Sequence, residues 1–232
     1  MKLKQLEGHL GEVAAFRDPK VQLEQYPTTA HLAARMLYTA EATYGDIAGR
    51  AVVDLGCGCG MLSLAAALMG AGCVTGIDVD ADALDIAAEN VEALEAEDVV
   101  DLVHASLCAA GGGDAGALAP NHALLAGMRG RFDTAVLNPP FGTKPGNKGI
   151  DVAFLQAACA MATGAVYSLH KSSTREHLVR KAASWGYTCE VLAELRFDVP
   201  MMYKFHKKKS VDIAVDLLRL SPAGADKGAT EL

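Results

Sequence analysis

No apolar run in this 232-residue sequence approaches the ~18 residues that a membrane-spanning helix needs; the best, Met61–Met69, is short and rich in alanine. The opening stretch, Met1 to Leu10, alternates Lys, Glu and His with Leu and has no signal-peptide core. Six cysteines spread over the chain do not make a disulfide framework; with no secretion signal they read as reduced intracellular thiols. Repeats and low-complexity arrays are lacking as well. The expectation is therefore an intracellular protein with no membrane contact. What is present suffices for one core: 51% of residues are hydrophobic and 21% charged. At roughly 100–200 residues per domain, the length fits one compact domain with modest additions.

Net positive charge is lacking too. The balance of −7 argues weakly against a nucleic-acid binder, but the average hides an asymmetry. From Ser168 to Lys209, nine Lys/Arg stand against four Asp/Glu, a balance of +5, while the remainder carries −12. A basic C-terminal third on an acidic body suits a protein with one face for a polyanion; ordinary surface variation gives the same balance.

Short apolar runs at Ala51–Leu55, Cys73–Asp78, Val99–His104, Phe132–Leu137, Gly164–Leu169, Tyr187–Leu195 and Val211–Leu220 read as strands. Between them, Met61–Met69, Ala81–Leu94, Asp151–Met161 and Thr174–Ser184 carry apolar residues at helical spacing. This alternation predicts an α/β domain: a seven-stranded, mostly parallel sheet with helices on both faces. The stretch from Val211 to Leu217 alternates apolar and acidic residues, as a half-exposed, edge-side strand would. A further helix is expected over Thr28–Tyr44, capped by Thr28 or Thr29 after Pro27. Residues 1–27 form a polar lead-in packing on a catalytic domain that spans 28–220. Residues 109–130 read as a glycine-rich loop with one helical turn at His122–Gly127, and 221–232 as a disordered tail.

Chemistry concentrates first in Asp54-Leu55-Gly56-Cys57-Gly58-Cys59-Gly60, directly after the run Ala51-Val52-Val53. Alternate glycines after a strand let the backbone turn tightly and approach a ligand, and the following helix presents free N–H groups. Asp78 ends the next strand, where a carboxylate can take both hydroxyls of an adenosine ribose. The pattern is not the dinucleotide G-x-G-x-x-G. A leading acid with alternate glycines suits S-adenosylmethionine, which has no pyrophosphate to cradle and a cationic amino acid end to hold. Cys57 and Cys59 lack the second ligand pair that a structural zinc needs, so no metal is expected there.

The second motif is Asn138-Pro139-Pro140-Phe141, at the end of a strand and hence at the ligand-binding edge of a parallel sheet. Its parts fit methyl transfer to a planar, conjugated nitrogen whose lone pair is delocalised. The Asn138 side-chain oxygen and the Pro139 carbonyl can accept the two N–H bonds and aim the lone pair. Phe141 offers a face on which a flat base stacks, and Pro139 and Pro140 fix the backbone in advance. The third feature is Tyr203-Lys204-Phe205-His206-Lys207-Lys208-Lys209, aromatics interleaved with lysines, which suits RNA; a solvated charged turn is the alternative. In Ser168-Leu169-His170-Lys171-Ser172-Ser173-Thr174, His170 and Lys171 are candidates to meet substrate phosphate, and Ser172 or Ser173 to cap the next helix.

From about Leu3 to Leu220 the chain resembles the class I, Rossmann-like S-adenosylmethionine-dependent methyltransferases, and more narrowly the methyltransferase-like 5 family of rRNA adenine-N6 methyltransferases. Besides the two motifs, the resemblance rests on the blocks Leu23–Thr28, Ala33–Tyr38, Ala165–His177 and Lys204–Ile213. It implies formation of N6-methyladenosine in small-subunit (18S) ribosomal RNA, and Gln25, Thr28, Gly56, Cys59 and Asp78 lining the cofactor site, with Asp54 and Gly60 in the same loop. Where the family has an acid near the cofactor adenine, this chain has Ser106, a weaker, neutral acceptor. The 109–130 loop is longer than usual, and Pro145-Gly146 lengthens the segment after Phe141.

The resemblance further implies a partner, a small zinc-binding methyltransferase activator subunit, and residence in cytoplasm and nucleus. Val99-Val100-Asp101-Leu102-Val103 is apolar for an edge strand, which suits strand addition near 99–104; an edge covered by the 109–130 loop is the alternative. Two other activities fit the motifs. A protein glutamine-N5 methyltransferase presents the same planar NH2 to Asn138, and a non-catalytic ribosome-assembly scaffold uses the fold alone.

Overall fold

The structure is a computed structural model that describes residues 1–110, 118–120, 122–200 and 210–224. Its main sheet comprises β1 (Ala51–Leu55), β2 (Cys73–Asp78), β3 (Val100–His104), β4 (Phe132–Leu137), β5 (Ala162–Lys171), β6 (Tyr187–Pro200) and β7 (Ser210–Pro222). Their order across the sheet is β3-β2-β1-β4-β5-β7-β6. β7 runs antiparallel to both neighbours; the other pairs are parallel. The helices are α1 (Leu3–Leu10), α2 (Ala30–Tyr44), α3 (Met61–Leu68), α4 (Ala81–Ala93), α5 (His122–Met128), α6 (Ile150–Met161) and α7 (Arg175–Ser184). None among the described residues is long and apolar enough to cross a membrane.

Strand alternation divides the core. Val52, Val136, Ala165 and Tyr167 pack with α1, α2 and α3 on one face of the sheet. Val53, Ala135, Leu137 and Val166 pack with α6 and α7 on the other. Within the lead-in, the apolar stripe of α1 buries Leu6 and Leu10 against α2 and α3. Thr29 caps α2, its hydroxyl accepting from the Leu32 N–H at 3.3 Å, and Gly45 in the left-handed region ends it.

The C-terminal strands differ from the sequence expectation. β7 lies inside the sheet, between β5 and β6, and β6 forms the edge. The acid Asp216 is fully buried, bridged to Arg175 Nε at 2.7 Å and to Ser172 Oγ at 2.6 Å. At Asp216 the acid of this alternation marks a buried ion pair, not a wet position. Ser172 thus serves Asp216 and not the cap of α7. β7 also runs two residues beyond Leu220 and buries Ser221, so part of the expected tail is sheet. Within the expected 109–130 loop stand a short antiparallel ribbon, Cys108–Ala110 with Leu118–Pro120, and α5. Both pack on α6.

Candidate active site

The carboxyl ends of β1, β2 and β4 converge on two adjoining cavities of about 270 and 60 Å³, whose linings share Phe16, Tyr26, Gly56, Gly58 and Asn138. The glycine loop forms their floor. Gly56 leaves β1 at φ 73°, its N–H donating to the Ile77 carbonyl at 2.8 Å. A Cβ there would sit 2.9 Å from the Phe154 ring, and one on Gly58 2.8 Å from the Phe16 ring. Both positions therefore require glycine for space and for backbone conformation. Gly60 caps α3 in the left-handed region and lines neither cavity.

Asp78 sits at the end of β2, 9% exposed, accepting from Gly58 N–H at 2.8 Å and Asp80 N–H at 2.9 Å. Burial raises its pKa, opposed by those backbone donors. With Val79, Ser106, Leu107 and Phe154 it lines the larger cavity, a carboxylate among apolar walls that fits an adenosine. The Ser106 hydroxyl donates to the Cys108 carbonyl at 2.7 Å.

Asp54 lines the smaller cavity with Thr28 and Cys59. It is 1% exposed; one oxygen accepts from Ser63 Oγ at 2.7 Å and the other, Oδ1, has no partner among the described residues. Desolvation pushes its pKa up to about 7. An orphaned buried carboxylate oxygen fits a cationic group, which would restore its ionised form. The two cavities thus match the two ends of S-adenosylmethionine: ribose and base by Asp78, the amino acid end by Asp54.

Asn138 follows β4 and lines both cavities. Its Nδ2 donates to Thr28 Oγ1 at 2.9 Å, which fixes the amide and leaves its oxygen as the acceptor. Pro139 is buried, Pro140 lines the larger cavity, and Phe141 packs partly against the core with Lys171 Nζ 5.7 Å from its ring centroid. Thr28, implied as a cofactor residue, also orients Asn138. Gln25 lines the larger cavity, but its amide is engaged by the Lys20 N–H at 2.7 Å and by Asp80 at 2.6 Å.

One candidate is corrected. His170 does not face substrate: it is 1% exposed, its Nε2 lies 2.8 Å from Ser168 Oγ, and burial drives its pKa down to about 3. Strand alternation points it into the face covered by α6 and α7, where a neutral imidazole cannot meet phosphate. Lys171, one residue on, is half-buried beside Phe141. Lys204, Phe205, His206, Lys207, Lys208 and Lys209 lie outside the described residues.

The structure adds residues that sequence reading missed. Phe16 covers Gly58 from the lead-in. Asp80 collects Lys20 and Gln25, tying that lead-in to the start of α4. Glu24, 6% exposed and left-handed at φ 52°, holds the loop after Phe141. The only sequence signal for Glu24 was its place in the block Leu23–Thr28; its partner Thr143 is 119 residues away.

The family described as Ribosomal protein L11 methyltransferase (PrmA) matches residues 26–112, which hold the glycine loop and Asp78 and stop before Asn138. The rRNA N(6)-adenosine-methyltransferase METTL5 of Danio rerio is 52% identical over 222 residues, covering 96% of this chain and 100% of the relative. The Drosophila melanogaster rRNA N(6)-adenosine-methyltransferase Mettl5 is 45% identical, covering 94% of this chain and 96% of its own. A crystal structure from Pyrococcus horikoshii, of a candidate RNA methyltransferase, superimposes with a TM-score of 0.77 at 29% identity, covering 98% of this chain and 99% of that one. With identity of this level along nearly its whole length, the chain belongs to the METTL5 family of rRNA N(6)-adenosine-methyltransferases.

Proposed function

We propose that this protein transfers a methyl group from S-adenosylmethionine to N6 of an adenosine in ribosomal RNA, the activity for which its relatives are named. The observation that carries the reading is Asn138: its amide is oriented by Thr28, and it stands where the Asp78 and Asp54 cavities meet. When bound, S-adenosylmethionine supplies an electrophilic methyl on a sulfonium. Asp78 holds its ribose hydroxyls and Asp54 its ammonium. The Asn138 oxygen and the Pro139 carbonyl accept from the exocyclic amine of adenine, which aims its lone pair and favours the developing tetrahedral nitrogen. Phe141 stacks on the base.

Three finer readings belong to the same proposal. The RNA is that of the small subunit, 18S. Lys171 and the segment Lys204–Lys209 supply phosphate contacts, supported by the charge asymmetry of the chain. The small zinc-binding activator subunit adds a strand to β3. Supporting this, β3 ends the sheet, its Leu102 and Val103 are only half-buried, and the ribbon and α5 pack on α6. Residence in cytoplasm and nucleus goes with an rRNA substrate.

The test is direct. The protein, co-expressed with the activator subunit, is incubated with labelled S-adenosylmethionine and cellular RNA, and the RNA is digested to nucleosides. Label in N6-methyladenosine from 18S rRNA is expected. No label in RNA, with label in protein glutamine when the same complex is given cellular protein instead, would overturn the reading.

A further inference from the structure

Four donors surround one side chain on the wall of the larger cavity, Glu24. The Glu24 carboxylate accepts from Thr143 N–H at 2.9 and 3.1 Å, Thr143 Oγ1 at 2.7 Å, Lys144 N–H at 3.3 Å and Asn147 Nδ2 at 2.9 Å. Asn147 Nδ2 also donates to the Gln22 carbonyl at 2.8 Å. The segment so gathered begins two residues after Phe141, at Thr143, and is tightly closed. Lys144 O accepts from Asn147 N–H at 3.0 Å, and a Cβ on Gly142 would sit 3.0 Å from the Asn147 carbonyl. Four residues after Glu24, Thr28 holds Asn138. One short stretch, Glu24–Thr28, at the end of the lead-in therefore grips the Asn138–Phe141 tetrapeptide on both flanks.

Burial of a carboxylate this deep costs stability and raises its pKa unless its lone pairs are filled; here the loop donors fill them and bring the pKa below its ordinary value. Glu24 also adopts a left-handed backbone without being glycine, a cost that the fold tolerates where the side chain must point one way.

We propose that Glu24 is a positioning residue for the acceptor base: its carboxylate gathers the loop after Phe141 and fixes where the flat base enters. This rests on the methyl-transfer reading above. Glu24 and Asn147 also line the larger cavity. The Glu24 carboxylate gives its lone pairs to the loop, however, and touches no reacting atom, so its loss should lower turnover by a larger factor than cofactor affinity. Misplacement of an acceptor by about 1 Å costs on the order of a hundredfold in rate.

Three variants of the protein co-expressed with the activator subunit test it. Glu24→Ala strands the Thr143 and Lys144 N–H groups and should lower kcat on RNA by roughly tenfold to a hundredfold. Glu24→Gln should recover most of that loss, because one oxygen remains for Lys144 and Asn147 while the new amide donates to Thr143 Oγ1. Thr143→Val removes only the hydroxyl bond and should show a smaller loss of the same kind. The dissociation constant of S-adenosylhomocysteine should change by a smaller factor than kcat in each. Amide exchange at Thr143 and Lys144, read without any substrate, should quicken in Glu24→Ala. Unchanged exchange, unchanged kcat, or a kcat loss matched by an equal loss of cofactor affinity would each overturn the proposal. An inactive wild type would overturn the RNA reading alone, and the exchange measurement would still decide whether Glu24 holds the loop.

Discussion

On the cofactor side of the site, Asp78 accepts from Gly58, twenty residues away, and Asp54 from Ser63, nine away. On the target side, Asn138 leans on Thr28 across 110 residues, and the loop after Phe141 leans on Glu24 across 119. The floor of the cofactor side, with Asp54 and Asp78, is built within successive strand–loop–helix units, so its geometry comes with local folding. Phe16, Gln25 and Tyr26 of the lead-in complete its walls. The target side is completed only when residues 20–29 dock over β4. Contacts of that range close a long loop for each polar pair gained. Damage to the lead-in should therefore reach base positioning before it reaches the glycine loop. Phe16, also in the lead-in and packed on Gly58, marks the limit of this division.

The largest expected effect separates the two sides outright. Asn138→Ala removes the oriented acceptor and should cut turnover by about 10²–10³, the usual scale for one preorganised polar contact. Cofactor affinity by calorimetry should stay within about twofold, since Asp54 and Asp78 remain. Loss of cofactor binding as the sole defect would erase the distinction between the sides. Asp78→Ala is the mirror experiment. Two ribose hydroxyls lose a charged acceptor, costing roughly 1.5–3 kcal/mol, or about 10- to 150-fold in affinity. S-adenosylmethionine and S-adenosylhomocysteine should weaken alike, because both carry that ribose, and an unchanged dissociation constant would refute the assignment.

Asp54 sharpens the cofactor side through pH. Its pKa of about 7 in the free protein means that it is largely neutral below that value and ionised above it. A bound cation favours the ionised form, so binding expels a proton at low pH. Cofactor affinity should then rise with pH, by up to about tenfold per unit below pH 7, and level off above. Asp54→Asn has no proton to lose and should flatten this dependence. Calorimetry between pH 5.5 and 7.5 on both proteins cancels the titration of the cofactor itself. Parallel profiles would remove Asp54 from the cofactor's charged end.

This same contrast explains what could be read from the chain beforehand. The strands, their parallel order and the loop Asp54–Gly60 follow from runs and spacings contained in a few tens of residues. Asp78 follows from its position at the end of the next strand. Asn138 and Phe141 were legible as chemistry, while the residues that hold them were not, because Glu24 carries no local pattern and its partners lie at the far end of the loop. His170 misled for a related reason. Its neighbours Lys171 and Ser172 suggest an exposed turn, whereas alternation along β5 turns the ring inward beside Ser168. The acidic alternation of β7 misled likewise, since the counter-charge for Asp216 comes from Arg175 on another element.

The smallest expected effect concerns Lys207 and Lys208, and it asks whether the target side extends beyond the pocket. If these lysines neutralise phosphates, RNA affinity falls steeply with salt through counterion release. Each contact removed should then lower the log–log slope by roughly 0.7–0.9. The double change Lys207→Ala, Lys208→Ala should weaken unrelated RNA sequences about equally, because phosphate contacts position a substrate without reading its bases. Cofactor affinity should be untouched if, as proposed, Asp78 and Asp54 supply it from β2 and β1. A solvated charged turn predicts no change in either affinity or slope. A wild-type salt slope in the double variant would confine substrate recognition to Asn138, Phe141 and the loop that Glu24 holds. It would also restore protein glutamine as the competing acceptor, since that substrate needs no phosphate contacts at all.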